Sequence, residues 1–149
     1  MPALITFGRI LFAVLFIYSG ASKLVAIQAT ADFIGQKVAI PAMLAPYQSQ
    51  LESLTGMAAN QVLAIAIGAF EVIAGLMIAI NFGARFFAIL LILFVIVATF
   101  YFHDFWSQTP TDPKAIMDAL KNLSLIGALF IIAGYGKGPR SVEPAYGDV

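Results

Sequence analysis

The stretch Gln61–Ile80, QVLAIAIGAFEVIAGLMIAI, decides the fold of this chain. Its twenty residues contain one charged side chain, Glu71. A helix needs about 20 mostly apolar residues to cross the hydrocarbon core of a bilayer. A spanning segment of this kind must satisfy its own backbone hydrogen bonds, and the chain lacks the period-two polarity of a β-barrel strand. We therefore predict that this stretch is a transmembrane helix.

Three further segments approach the same length and apolar content, at about residues 4–24, 85–102 and 115–134. A long loop, residues 25–60, follows the first segment, and a polar tail, residues 135–149, follows the last. The sequence thus predicts an all-α fold, an integral membrane four-helix bundle, with residues 1–149 forming a single transmembrane domain.

The composition supports this class and excludes others. Of the 149 residues, 61% are hydrophobic and 11% are charged, whereas an average soluble domain is about 25% charged. The net charge is zero, so no nucleic-acid partner is expected and the lipid bilayer is the first partner. Without cysteine, the chain cannot attach a cofactor covalently through sulfur, and a single histidine makes a poor metal site.

Turn residues separate the predicted helices. Asn81 and Gly83 suit a tight connection between the second and third, because both tolerate left-handed backbone conformations. Asp112 can cap the fourth helix with Pro113 at its first position. In the long loop, Thr30–Ile40 predicts a short interfacial helix that stops before Pro41, the alternative being an irregular surface connection.

Two segments of the chain resemble each other. Residues 67–75 and 126–134 align without gaps and share six of nine residues, with Glu71 matched by Phe130. Two repeated helical hairpins in the same orientation would explain the match, and chance similarity between apolar segments is the alternative.

Glu71 is the least expected residue, since an acidic group at the centre of a membrane helix costs about 2.5–3.5 kcal/mol in insertion experiments. It should face the bundle and be paired, and Arg9 on the first helix is the expected partner. A structural ion pair between Arg9 and Glu71 is one interpretation. A carboxylate that handles protons is the other, which makes Glu71 a candidate catalytic residue.

A second polar group is expected where the first helix ends, at one membrane face. His103 and Asp104 are candidate catalytic residues there, because an imidazole beside a carboxylate can exchange protons. Candidate ligand-binding residues complete the group: Lys23, Trp106, Lys121 and Asn122. Such a set suits a quinone head group or another small polar ligand. The alternative is a set of interfacial anchors, since Lys, His and Trp often serve that purpose at helix ends.

The positive-inside rule leaves the orientation nearly open. Four helices place both termini on one side, and four basic residues fall on each side. Most acidic residues fall on the side of Lys23, so we predict that the termini are cytoplasmic.

At these residues the sequence resembles the DoxX family of small four-helix membrane proteins, over about residues 4–142. The resemblance implies a prokaryotic plasma-membrane protein and kinship with the membrane subunit of thiosulfate:quinone oxidoreductase, and hence a role at a quinone. The matching pieces are Arg9, Ser19-Gly20-Ala21-Ser22-Lys23-Leu24, Glu71 before Ala74-Gly75-Leu76, Gly83 with Arg85, Ala98-Thr99-Phe100-Tyr101-Phe102-His103-Asp104-Phe105-Trp106, and Lys121-Asn122-Leu123 leading to Gly127 and Gly136.

Three functions remain open at this point. The first is a membrane subunit of an oxidoreductase or respiratory-type assembly, which needs a partner subunit to supply the redox centre. The second is a non-catalytic subunit that packs against a larger membrane complex. The third is a pathway for protons or a small solute through the bundle around Glu71.

Overall fold

The structure, a computed structural model, describes residues 2–38, 41–102 and 112–135. Within these ranges the chain forms six α-helices and a 3₁₀ turn at Ala42–Leu44. The α-helices are α1 (Pro2–Val25), α2 (Ile27–Lys37), α3 (Ala45–Thr55), α4 (Ala59–Ala79), α5 (Ala84–Phe102) and α6 (Pro113–Tyr135).

Four of these helices, α1, α4, α5 and α6, are long and apolar enough to cross a membrane. The predicted all-α membrane bundle is confirmed, and the predicted bounds of the four spans agree with the observed ones to within two residues at each end. The bounds agree because the length of each apolar run and the turn residues at its ends together determine where the helix begins and ends.

The connections at both predicted turns form as expected. Asn81 and Gly83 have φ angles of 61° and 58°, so both take the left-handed conformation that ends α4 and starts α5. At the start of α6, the Asp112 carboxylate accepts a hydrogen bond from the Lys114 backbone N–H at 2.9 Å. Pro113 is the first residue of that helix, where its missing N–H costs nothing.

The helices pack in the order α1, α4, α5, α6. The most extensive contact joins α1 with α4, the next joins α5 with α6, and α4 with α5 links the two pairs. All four contribute to one apolar core, to which α6 adds only Leu129 as a fully buried side chain. The other core residues are Ala13, Phe16, Ala74, Ile78, Ala88, Leu91, Ile92 and Val95.

Helices α1 and α4 approach closely through glycine. A methyl group on Gly68 would lie 2.9 Å from the carbonyl oxygen of Gly20, and one on Gly20 would collide with the carbonyl oxygen of Gly68. Further along, a methyl group on Gly75 would lie 2.8 Å from Cγ1 of Ile17. Small residues at such positions allow backbones to approach within van der Waals distance, which is how helices associate tightly in lipid.

The two similar segments do not pack in the same way. Gly68 and Gly75 of α4 lie against α1, whereas nothing lies within 4 Å of the position that a methyl group would take on Gly127 or Gly134 of α6. Phe130, the counterpart of the buried Glu71, is 61% exposed on the lipid-facing surface. The sequence similarity therefore does not extend to equivalent helix contacts.

The long loop contains more helix than predicted. The interfacial helix expected at Thr30–Ile40 is present as α2, which begins earlier and ends at Lys37. Ala31 and Ile34 of α2 are buried against Ala64 of α4, so α2 lies over the end of the bundle. Helix α3 was not predicted, because it buries no residue and carries no apolar stripe.

Glu52 on α3 holds α3 against the start of α4. Its Oε1 accepts hydrogen bonds from the Ala59 backbone N–H at 3.0 Å and from Gln48 Nε2 at 3.2 Å. The bond from Ala59, followed by that from Gln48, lowers the pKa of Glu52 below its ordinary value of 4.5, against a smaller opposing effect of burial. The carboxylate thus satisfies one of the free N–H groups at the N-terminus of α4.

Replacing Gly20 with alanine should loosen the contact between α1 and α4. Overpacking of this kind typically costs about 1–3 kcal/mol, because the helices must move apart to admit the methyl group. Thermal unfolding in mild detergent, followed by circular dichroism, should show a lower midpoint for Gly20→Ala. The matched control is Gly127→Ala, where the methyl group meets nothing. Equal midpoints for the two variants would contradict the close contact.

The contribution of Glu52 to stability should depend on pH. Because its pKa is lower in the folded chain, its stabilising effect is fully present above the ordinary value of 4.5 and is lost as the pH falls through the lowered pKa. We expect wild type to unfold at a higher temperature than Glu52→Gln at pH 7, and the difference to shrink below pH 4. A difference that stays constant with pH would refute the ionised cap.

Candidate functional site

The centre of the candidate site is an ion pair between α1 and α4, in which the carboxylate of Glu71 is buried and the side chain of Lys23 is partly buried. Lys23 Nζ lies 2.8 Å from Glu71 Oε2 and 3.1 Å from Oε1. The same ammonium group donates to Ser19 Oγ at 2.6 Å, one helical turn earlier on α1. Glu71 is 3% exposed, and both of its oxygens accept from Lys23. The pair compensates the cost of a carboxylate inside the membrane.

The predicted pair between Arg9 and Glu71 is not formed. Arg9 precedes Lys23 by fourteen residues, which is about 21 Å along a helix, and its guanidinium cannot cover that depth. Its Nη2 instead lies 3.5 Å from Thr6 Oγ1. The register of α1 against α4, fixed by Gly20 at Gly68, brings Lys23 rather than Arg9 to Glu71.

Lys23 and Glu71 face a cavity of about 340 Å³ inside the bundle. Five helices contribute to its wall, and most of the wall is apolar. The aromatic lining residues are Phe16, Phe33, Phe94 and Phe102, and the polar ones are Ser19, Lys23, Thr30, Glu71 and Asn122. A mostly apolar hollow with a few convergent polar groups is typical of small-molecule sites.

Asn122 is held in the cavity wall by α5. Its Nδ2 donates to Thr99 Oγ1 at 2.9 Å, and the Thr99 hydroxyl donates to the Val95 carbonyl at 2.6 Å. A carboxamide has two N–H donors, so Asn122 keeps one N–H that no described residue accepts. The Ser19 hydroxyl accepts from Lys23, and its own hydrogen has no acceptor among the described residues.

Helix α2 contributes Thr30, Phe33 and Ile34 to the wall of the cavity. Phe33 of α2 stacks on Phe102 of α5, with ring centroids 5.3 Å apart and an interplanar angle of 20°. Gln61 Nε2 donates to Gln28 Oε1 at 2.6 Å, which ties α2 to α4. The predicted interfacial helix therefore forms part of the site.

The structure brings together some of the sequence-predicted site residues. Lys23, Glu71 and Asn122 line one cavity, whereas Lys121 pairs with Asp118 at 3.0 Å on an exposed face of α6. His103, Asp104 and Trp106 lie outside the described residues. Within the described ranges, no group of three His, Cys, Asp or Glu side chains is placed to hold a metal ion.

The sequence alone predicts Glu71 and Lys23 as members of two separate polar groups. A shared spacing could have joined them, because Gly20 precedes Lys23 by three residues just as Gly68 precedes Glu71. Residues three apart lie on one helix face. Each helix thus presents a glycine and an ionisable residue on the same side. Ser19 and Thr99 complete the site through their hydrogen bonds.

Comparison with known proteins places these residues in a family context. The family model of DoxX matches residues 4–104, a range that contains both Lys23 and Glu71. The Surfeit locus protein 4 homolog of Schizosaccharomyces pombe is 34% identical over 82 residues, which is 53% of this chain. The chain spans 27% of the length of that curated relative. No solved structure matches the chain.

Removing one partner of the ion pair should destabilise the bundle strongly. Lys23→Met leaves the Glu71 carboxylate buried without a cation, and such a loss costs about 3 kcal/mol or more. The double variant Lys23→Met/Glu71→Leu should recover most of the loss, since apolar replacements of a buried pair are often neutral. Thermal unfolding in detergent measures both effects.

Lys121→Met is the matched control for Lys23→Met. It removes an exposed cation from an i, i+3 pair, for which the expected cost is about 0–1 kcal/mol. If Lys23→Met were no more destabilising than Lys121→Met, the pair of Lys23 with Glu71 would not support the fold.

Proposed function

Since the chain belongs to the DoxX family, we propose that this multi-pass membrane protein is a subunit of an oxidoreductase or respiratory-type assembly. Its polar cavity would face a quinone head group or a comparable small ligand. One observation carries the proposal: partly buried Lys23 and buried Glu71 form an ion pair in the wall of a cavity of about 340 Å³.

The residues of the cavity fit a quinone head group. Ligand pockets usually measure about 300–1,000 Å³ and combine an apolar wall with a few polar groups. Phe94 and Phe102 offer flat apolar surface to a ring, and Ser19 and Asn122 each keep one hydrogen for a ring oxygen. A quinone, when bound, supplies two-electron, two-proton redox chemistry.

The ion pair has a distinct task in this proposal. Lys23 is committed to Glu71 and Ser19, so its positive charge stays at one place in the cavity wall. Because Glu71 makes the pair neutral as a whole, the ammonium group would stabilise negative charge only on a ligand oxygen that approaches it closely. Glu71 accepts from Lys23 with both oxygens and thereby orients the ammonium group. Ser19 Oγ accepts a hydrogen bond from Lys23. This bond polarises the Ser19 hydroxyl and makes it a stronger donor to a ring oxygen of the quinone.

The redox centre is proposed to reside in another subunit. The chain has no cysteine and one histidine, so its own side chains cannot assemble a thiolate-ligated or bis-histidine centre. Protein partners in the membrane or attached to it would supply electrons. His103, Asp104, Trp106 and Lys121 stay predictions for the proton path and the ligand contact. The prokaryotic plasma membrane and the cytoplasmic termini also stay predictions, resting on the resemblance and on charge.

A non-catalytic assembly subunit is the second candidate, and one observation favours it. The glycine contact between α1 and α4 adjoins the ion pair, since a methyl group on Gly20 would also lie 2.9 Å from Glu71 Cβ. Lys23 and Glu71 would then serve to fix helix packing, as buried pairs do in some proteins.

Quinone binding by the purified protein tests the proposal. In detergent, isothermal titration with a short-chain ubiquinone should show saturable binding to wild type. Asn122→Leu should weaken it about fivefold to tenfold, the effect of losing one hydrogen bond of about 1–1.4 kcal/mol. Ser124→Ala is the control, because Ser124 donates to the Leu120 carbonyl on the exposed face of the same helix.

Two outcomes would count against the quinone site. One is the absence of saturable binding to wild type, and the other is an Asn122→Leu variant that is fully helical and binds as wild type does. Mass spectrometry after mild extraction with native lipids separates the two candidates. A redox-active partner with quinone supports the first, whereas a partner without quinone supports the assembly subunit.

A further inference from the structure

A second hollow lies between α1 and α6 at the other membrane face. Helix α1 packs mainly on α4 and α6 packs mainly on α5, which leaves a seam between α1 and α6. This cleft has a volume of about 440 Å³. Its wall is apolar apart from one charged and one phenolic side chain, and it consists of Ile5, Gly8, Arg9, Phe12, Ala128, Ile131, Ile132 and Tyr135.

Arg9 is the charged residue of the cleft, and its hydrogen bonding is incomplete. Its Nε is buried and has no hydrogen-bond partner, and Nη2 makes only a long contact of 3.5 Å with Thr6. No carboxylate in the described ranges pairs with it. A guanidinium near the hydrocarbon region needs an anion or strong acceptors, because desolvating it alone is costly.

The charged residues that the structure describes at this membrane face all have one sign. The face contains the start of α1, the turn from α4 to α5 and the end of α6, and its described charged residues are Arg9 and Arg85. Arg85 donates to the carbonyls of Ala133 and Gly134, so it is already occupied. The described acidic residues are either buried, as Glu71 is, or lie at the opposite face. A second copy of this chain would bring no described carboxylate to Arg9.

We propose that the cleft binds an anionic phospholipid, with its phosphate on Arg9 and one acyl chain along the seam between α1 and α6. An acyl chain suits the apolar wall, and a phosphate suits the planar guanidinium, which can donate two parallel hydrogen bonds. Basic pockets between membrane helices bind anionic head groups in this way. Gly8 leaves room for the chain, since nothing lies within 4 Å of the position of an added methyl group.

Native mass spectrometry in detergent tests the site with two lipids that differ only in head group. Dioleoyl phosphatidylglycerol should bind wild type about fivefold more tightly than dioleoyl phosphatidylcholine, since one basic residue near an anionic lipid contributes about 1 kcal/mol. Arg9→Gln should abolish the preference, and Arg9→Lys should retain part of it. Lys114→Gln, which removes an exposed cation at the opposite face, should leave it unchanged.

A second variant tests the groove rather than the charge. Gly8→Leu places a side chain in the cleft and should displace the first bound lipid of either kind, while the exposed Gly127→Leu, outside the cleft, should not. The proposal is overturned by equal affinities for the two lipids in wild type, by a full preference in Arg9→Gln, or by displacement of the bound lipid with a short-chain ubiquinone. Because Asn122 lies in the other cavity, Asn122→Leu should leave lipid binding intact even if quinone binding fails.

Discussion

The rest of the structure depends on the contact between α1 and α4, where one carboxylate is buried within the membrane domain. A carboxylate at that depth is costly unless a cation lies at hydrogen-bond distance, and Lys23 provides that cation. That distance requires the two backbones to approach closely, which Gly20 and Gly68 permit. The glycines and the ion pair therefore constrain each other, since neither register nor spacing can change without separating the charges.

The same contact determines how the other two membrane helices, α5 and α6, pack. Once α1 is committed to α4, α6 packs on α5 and keeps a single fully buried side chain, Leu129. Gly127 and Gly134 have no close neighbour, although they match Gly68 and Gly75 in sequence. A bundle with one tight pair and one looser pair leaves space between its helices, and the polar cavity and the cleft beside Arg9 lie at opposite ends of the bundle.

The sequence was sufficient to predict the bounds of the membrane helices. It was insufficient to predict which side chains on different helices contact each other. Apolar length and turn residues such as Asn81 and Gly83 act locally, so they predict helix bounds well. The partner of Glu71 depends on the register between two distant helices, and charge alone led to Arg9 instead of Lys23. Helix α3 was missed for a related reason, because it buries no residue and has no apolar periodicity to detect. Asn122 is predicted as a ligand-binding residue because it is polar, but its hydrogen bond to Thr99 can be seen only in the folded chain.

Helix α6 connects the two ends of the molecule. It supplies Asn122 to the polar cavity near one face and Ile132 to the cleft beside Arg9 near the other. Its main contact with protein is on the side of α5, and near its end Arg85 donates hydrogen bonds to the carbonyls of Ala133 and Gly134. A lipid in the seam would support α6 on its open side. The cleft and the polar cavity share no lining residue, so a lipid at one end of α6 and a ligand at the other would make separate contacts with the helix.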